Sequence, residues 1–166
     1  RLHELVASGV TFTGSGYLLF QAGCTGRLVG CTSSQTAIVR SADVTIETST
    51  FPDVSLQASA TVQGCTLGTI HVMWGRPVVT GNTLTYSFPY YLDDADADVS
   101  GIVGNTYTAS DPRVRWTGDV NGTCALAGID GIRRYQLAAT VTVVSTATLT
   151  IASGVEVVLG TSSAVT

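Results

Sequence analysis

The densest functional chemistry in this sequence is the acidic run Asp93-Asp94-Ala95-Asp96-Ala97-Asp98, which holds four of the chain's twelve acidic residues. Hard cations are bound by clusters of oxygen ligands. Asp94, Asp96 and Asp98 alternate as the first three ligands of a calcium loop do, with Ser100 and Asp111 as further donors. The match stops there. Val99 stands where such a loop needs glycine, no glutamate closes it, and no helical segments flank it. Calcium is the one cofactor the sequence suggests, and a solvated acidic loop is the competing reading.

Catalysis needs a nucleophile with its base, or two carboxylates held in unlike environments. His71 lies in Thr69-Ile70-His71-Val72-Met73-Trp74, where alternation places it on one face with Thr69 and Met73, the position of a half-buried structural histidine. His3 is close to the first residue. Glu47, Asp53 and Asp119 could act as a glycosidase pair only if the fold brings two of them together. No G-x-S-x-G, H-E-x-x-H or phosphate-cradling loop occurs, so the chain is not expected to be an enzyme. Binding chemistry is better represented. Trp74, Tyr90, Tyr91 and Trp116, with Phe88 beside the tyrosine pair, supply the parts of a sugar-stacking platform, although both tryptophans would also serve as core anchors. Asn121-Gly122-Thr123 is a formal acceptor sequon for a glycan.

Cys24, Cys31, Cys65 and Cys124 are even in number, lack C-x-x-C spacing and have only two histidines for company, which argues against zinc and for disulfides. The favoured pairing is Cys24 with Cys31 and Cys65 with Cys124, the second closing a loop worth roughly 4 kcal/mol in the chain-entropy account. Disulfides, together with a first residue that is not methionine, lead to the expectation of a secreted protein, extracellular or at the cell surface.

Those residues must be carried by strands. Period-two alternation dominates and helical periodicity is nearly absent. Turn signals recur at Gly14-Ser15-Gly16, Gly81-Asn82, Gly104-Asn105, Asn121-Gly122 and Ser153-Gly154. Many short strands without intervening helices predict an all-β fold, an antiparallel β-sandwich or jelly roll forming a single domain over 1–166 and stapled by disulfides. The alternative is a β-solenoid, suggested by one rung-like segment, Leu149-Thr150-Ile151 followed by Gly154-Val155. Between Tyr135 and Ile151 no charged residue occurs, and the sequence reads as one long strand that bends at Val143-Val144-Ser145.

Composition narrows the class of function. Charged residues make up 12% of the chain, against roughly 25% in ordinary globular proteins. There is no lysine, and the net charge is −4. Nucleic acid needs a clustered basic face, so it is not expected as a partner. No apolar run reaches the length of a transmembrane helix. Unguarded β-rich surface of this kind favours self-association into a homo-oligomer or polymer, as in a pilus-like filament or surface layer built by strand addition. Leu5, Val6, Val10 and Phe12 in an N-terminal arm (1–13), and Val155, Val157 and Leu159 in a C-terminal strand and tail (155–166), are the expected contacts. In texture the chain resembles secreted pilin-like β-sandwich proteins, with no motif carrying the likeness. The alternative expectation is a secreted monomeric module that binds a carbohydrate or other ligand.

Overall fold

A computed structural model describes residues 4–93 and 97–166. It is a β-solenoid, with twenty short strands wound into about eight turns. Every pairing between its strands is parallel. The antiparallel sandwich or jelly roll is therefore overturned. Alternation gave no warning, because a strand with one wet face and one dry face reads the same whichever way its neighbour runs.

Each turn visits three faces. The first face stacks Glu4–Ser8, Thr25–Val29, Val44–Glu47, Thr61–Gln63, Val78–Thr80 and Ile102–Val103. The second runs from Thr11–Phe12 through Thr32–Ser33, the starts of Thr50–Leu56 and Thr66–Val72, and Thr83–Leu84 to Thr106–Tyr107. The third begins at Tyr17–Phe20 and ends at Glu156–Leu159, using the later halves of those same two seven-residue strands. These strands bend where Pro52 and Gly68 lie. Gly68 is required there, since a Cβ would strike the Pro52 carbonyl and lie 2.9 Å from the Tyr86 ring.

The interior consists of columns of similar side chains, one per turn. Ala7, Leu28, Ile46, Val62, Val79 and Ile102 form one, all buried beneath the first face. Phe20, Val39, Leu56, Val72, Leu92, Trp116, Leu137 and Leu159 form another beneath the third. Burial of a full aliphatic side chain stabilises by roughly 1.5–3 kcal/mol, and stacking supplies that burial at every step. Trp116 is fully buried, with an indole N–H that finds no acceptor among the described residues.

The corner between the first and second faces is the most regular part of the coil. Gly9, Gly30, Thr48, Gly64, Gly81 and Gly104 occupy it in successive turns, with φ between 46° and 70°. That left-handed conformation favours glycine, and Thr48 is the single side chain that tolerates it in this set. From the second of these corners on, the next residue turns inward and builds a polar ladder, whereas Val10 in the first is exposed. The Cys31 N–H donates to Ser49 Oγ at 2.9 Å, Ser49 N–H to Cys65 Sγ at 3.4 Å, Cys65 N–H to Asn82 Oδ1 at 2.9 Å, and Asn82 N–H to Asn105 Oδ1 at 3.0 Å. The third residue is always threonine: Thr11, Thr32, Thr50, Thr66, Thr83 and Thr106 stand in one column facing outward. Asp130 ends the ladder. It sits at φ 49° in the tight turn of the antiparallel bridge between Ile129 and Ile132, and its carboxylate accepts from Gly104 N, Asn105 N, Asn105 Nδ2 and Tyr107 OH.

That ladder also corrects the disulfide expectation. Among the described residues no disulfide forms. Cys31 and Cys65 belong to one column but are separated by Ser49, so two strand spacings, roughly 9–10 Å, divide them. A disulfide needs Cα atoms within about 7 Å. The strand Thr25–Val29 lies between Cys24 and Cys31, and Cys65 has Ser49 and Asn82 as its column neighbours while Cys124 pairs with Leu149 in a separate two-stranded sheet, so neither expected pair is brought together. Burial pushes the Cys65 thiol pKa upward, and its Sγ lies 3.3 Å from the Gln63 carbonyl, the thiol donating.

The long charge-free strand is corrected as well. Arg134–Leu137 is on the third face, Val141 and Val143 make single parallel bridges to Val165 and Val120, and Thr148–Ile151 pairs with Thr123–Leu126. The Val144 phase slip is a turn, closed by the Ala147 N–H donating to the Val144 carbonyl at 2.8 Å. One predicted strand is in fact most of a coil.

Candidate functional site

The third face carries the chain's most varied outward chemistry. Its middle outward column reads Leu19, Ile38, Ser55, His71, Tyr91, Arg115, Gln136 and Val158, each side chain one rung from the next. Neighbouring strands lie about 4.8 Å apart, which brings successive side chains into contact. The His71 and Tyr91 rings meet edge to face with centroids 4.5 Å apart. The Arg115 guanidinium lies 5.2 Å above the Tyr91 ring, within reach of a cation–π attraction. Phe88 tilts against the same tyrosine at 6.2 Å.

Two clefts open from this strip. One, of about 320 Å³, is lined by Met73, Trp74, Asp93, Asp119 and Asn121. Trp74 is 49% exposed there, Asp93 accepts a 2.9 Å hydrogen bond from Thr117 Oγ1, and Asp119 accepts one of 2.8 Å from the Thr142 N–H. The second, of about 470 Å³, is bounded by Phe88, Arg115, Gln136, Ala138 and the loop containing Ser162 and Ser163. Burial lowers the His71 pKa, Arg115 adds to that lowering, and Asp93 and Asp53 oppose it; the imidazole is neutral at pH 7.

The sequence-predicted residues divide cleanly. Of the stacking set, Trp74 and Tyr91 face solvent, whereas Tyr90 and Trp116 are fully buried. Tyr90 instead shares a 3.1 Å hydrogen bond with Tyr107, and burial raises the pKa of both phenols. Asn121 joins the Trp74 cleft on an exposed position. Asp94 and Asp96 lie outside the described residues. Asp98 is paired with Arg76 at 3.3 Å and accepts from the Ser100 N–H at 2.9 Å. Asp111 binds Arg113 and Arg134. Among the described residues no cluster of three or more His, Cys, Asp or Glu side chains is arranged to hold a metal. The glycosidase candidates scatter: Glu47 pairs with Arg27 on the first face, while Asp53 and Asp119 belong to the third-face region with Asp93, which sequence reasoning had assigned to the acidic loop.

The self-association set occupies the two ends of the coil. Leu5, Val6, Val10 and Phe12 are in the first turn, with Val6 64% exposed, and Val155, Val157 and Leu159 are in the last. Phe88 was already in the stacking set, whereas Arg115 and Gln136 were missed as site residues. Their signal was the spacing His71, Tyr91, Arg115, Gln136, readable only once the turn length is known.

The chain matches no protein-family profile, no curated protein and no solved structure.

Proposed function

We propose that this solenoid binds an extended polysaccharide across its third face. The observation that carries the reading is the distribution of large aromatic side chains. Trp116, Tyr90, Tyr135 and Phe51 are sunk in the core; at the surface Tyr17 and Tyr86 line neither cleft, while Trp74, Tyr91 and Phe88 are grouped beside hydrogen-bonding groups and two clefts. Aromatic faces flanked by a few oriented polar groups suit the apolar faces and hydroxyl rims of sugar rings. The parallel coil sets successive outward side chains one strand spacing apart, so His71, Tyr91, Arg115 and Gln136 form one continuous strip. Binding rather than turnover is the expected activity. Asp93 and Asp119 are exposed, in surroundings that give neither the secluded acid a glycosidase requires.

Calorimetric titration with soluble polysaccharides, paired with iodide quenching of fluorescence, tests the reading, because Trp74 is accessible to the quencher and Trp116 is not. Bound ligand should shield Trp74, and Tyr91→Ala should weaken binding about fivefold to tenfold. Unchanged quenching and no heat across a panel of neutral and acidic polysaccharides would overturn it.

Self-association through strand addition is the second reading, and one observation favours it. The core column ending at Leu159 leaves that residue 55% exposed, with Ile151 at 49% beside an unpaired ladder edge. A second copy placing Tyr17–Phe20 against Glu156–Leu159 would extend the column from Leu159 to Phe20, a head-to-tail contact that does not close. Negative-stain microscopy of concentrated protein should show filaments that Leu159→Lys abolishes. Discrete monomers at every concentration would dismiss this reading.

A further inference from the structure

The arginines differ in their partners. Arg27, Arg76, Arg113 and Arg134 each pair with a carboxylate, at distances from 2.5 to 3.3 Å, and Arg40 and Arg133 donate to Gln57 Oε1 and the Ser153 carbonyl. Arg115 does neither. Asp111 takes both Arg113 and Arg134, and Arg115 is left with the Tyr91 ring beneath it and no carboxylate or hydrogen-bond partner among the described residues. Its side chain is exposed, stands directly beside Gln136 in the parallel register, and borders the larger cleft.

The neighbours of Arg115 make this cleft rich in donors. Gln136 Oε1 already accepts from Arg113 Nη1 at 3.3 Å, which leaves the Gln136 amide N–H groups for a ligand. Ser162 and Ser163 also line the cleft, the Ser163 hydroxyl already donating to the Gly160 carbonyl at 3.1 Å, and Phe88 adds an apolar surface. A guanidinium fixed over an aromatic ring keeps its planar fork of N–H donors oriented, the geometry that meets a carboxylate with two parallel hydrogen bonds. Asp93 and Asp119 line the other cleft with Trp74, where they can accept from sugar hydroxyls. The strip is thus divided into an accepting end and a donating end.

We infer that the polysaccharide bound by this face is acidic, a polyuronate, and that Arg115 takes the sugar carboxylate. This rests on the polysaccharide-binding reading and specifies its ligand. Sugar rings would lie against Phe88, with the carboxylate of one residue on the Arg115 fork that Tyr91 supports from beneath, and the Gln136 amide donating alongside.

The test titrates the whole chain with polygalacturonate and alginate, with their methyl-esterified forms, and with a neutral β-glucan, at low and at raised salt. The acidic polymers should bind at least tenfold more tightly than their esters, and the preference should shrink as salt screens it. Arg115→Gln should erase the preference for acid over ester, whereas Tyr91→Ala should weaken every ligand and keep the preference. Equal affinity for acid and ester, or a preference that survives Arg115→Gln, would overturn the inference while the polysaccharide reading stands. Absence of binding to any of these polymers would overturn both.

Discussion

His71 is a third-face side chain whose charge near neutral pH the fold controls. Burial holds its pKa below the ordinary 6.5, so as pH falls through that value the unfolded chain gains a proton that the folded chain refuses. The stability His71 contributes is therefore present above pH 6.5 and is lost as pH falls below it. Thermal melts between pH 7.5 and 5 should show a falling midpoint that His71→Gln flattens; an identical slope in the variant would contradict the assignment. The cysteines give a second expectation at this scale. Titrated with a thiol reagent in denaturant and without reductant, the protein should release all four thiols. Even number and spacing in the sequence pointed to disulfides. What the sequence did not show is that Cys31 and Cys65 serve as polar rungs at a corner where serine and asparagine serve equally well.

Among the elements, the corner ladder and the bent strands are the parts most sensitive to substitution. Asn82 is buried, accepts from the Cys65 N–H and donates to the Val62 carbonyl, so Asn82→Ala strands both groups and should cost about 3 kcal/mol, measured by urea unfolding. Gly68→Ala forces a methyl group against the Pro52 carbonyl and the Tyr86 ring and should cost about 2 kcal/mol. Near-neutral values would mean that the strand bends at Gly68 can relax. This corner was legible, in part, from the sequence alone. Gly9-Val10-Thr11, Gly30-Cys31-Thr32, Thr48-Ser49-Thr50, Gly64-Cys65-Thr66, Gly81-Asn82-Thr83 and Gly104-Asn105-Thr106 are one motif met six times. It escapes a search for a fixed period because the loops at the other corners vary: successive triplets start 16 residues apart at Thr48 and Gly64 but 23 apart at Gly81 and Gly104. The threonine column itself follows from β-branched preference for a strand start on an open face.

Over the whole molecule, stability should grade along the axis, since each coil packs only against its neighbours. Leu56 and Leu159 belong to one column, yet Leu56 is fully enclosed and Leu159 is more than half exposed. In dilute solution Leu56→Ala should cost about 3 kcal/mol and Leu159→Ala under about 0.5 kcal/mol, read from denaturant midpoints. Equal costs would show that the last coil is covered in solution. The all-β class, the turn glycines and the inward-facing apolar positions were set by local alternation and by φ preferences, which act over a few residues and are written in the sequence. Parallel direction, the three faces and the meeting of His71, Tyr91 and Arg115 were decided only in the tertiary structure. They depend on which rung stacks on which, and loops of unequal length fix that stacking through core columns whose members lie 16 to 24 residues apart, as between Val54 and Ile70 and between Tyr90 and Val114.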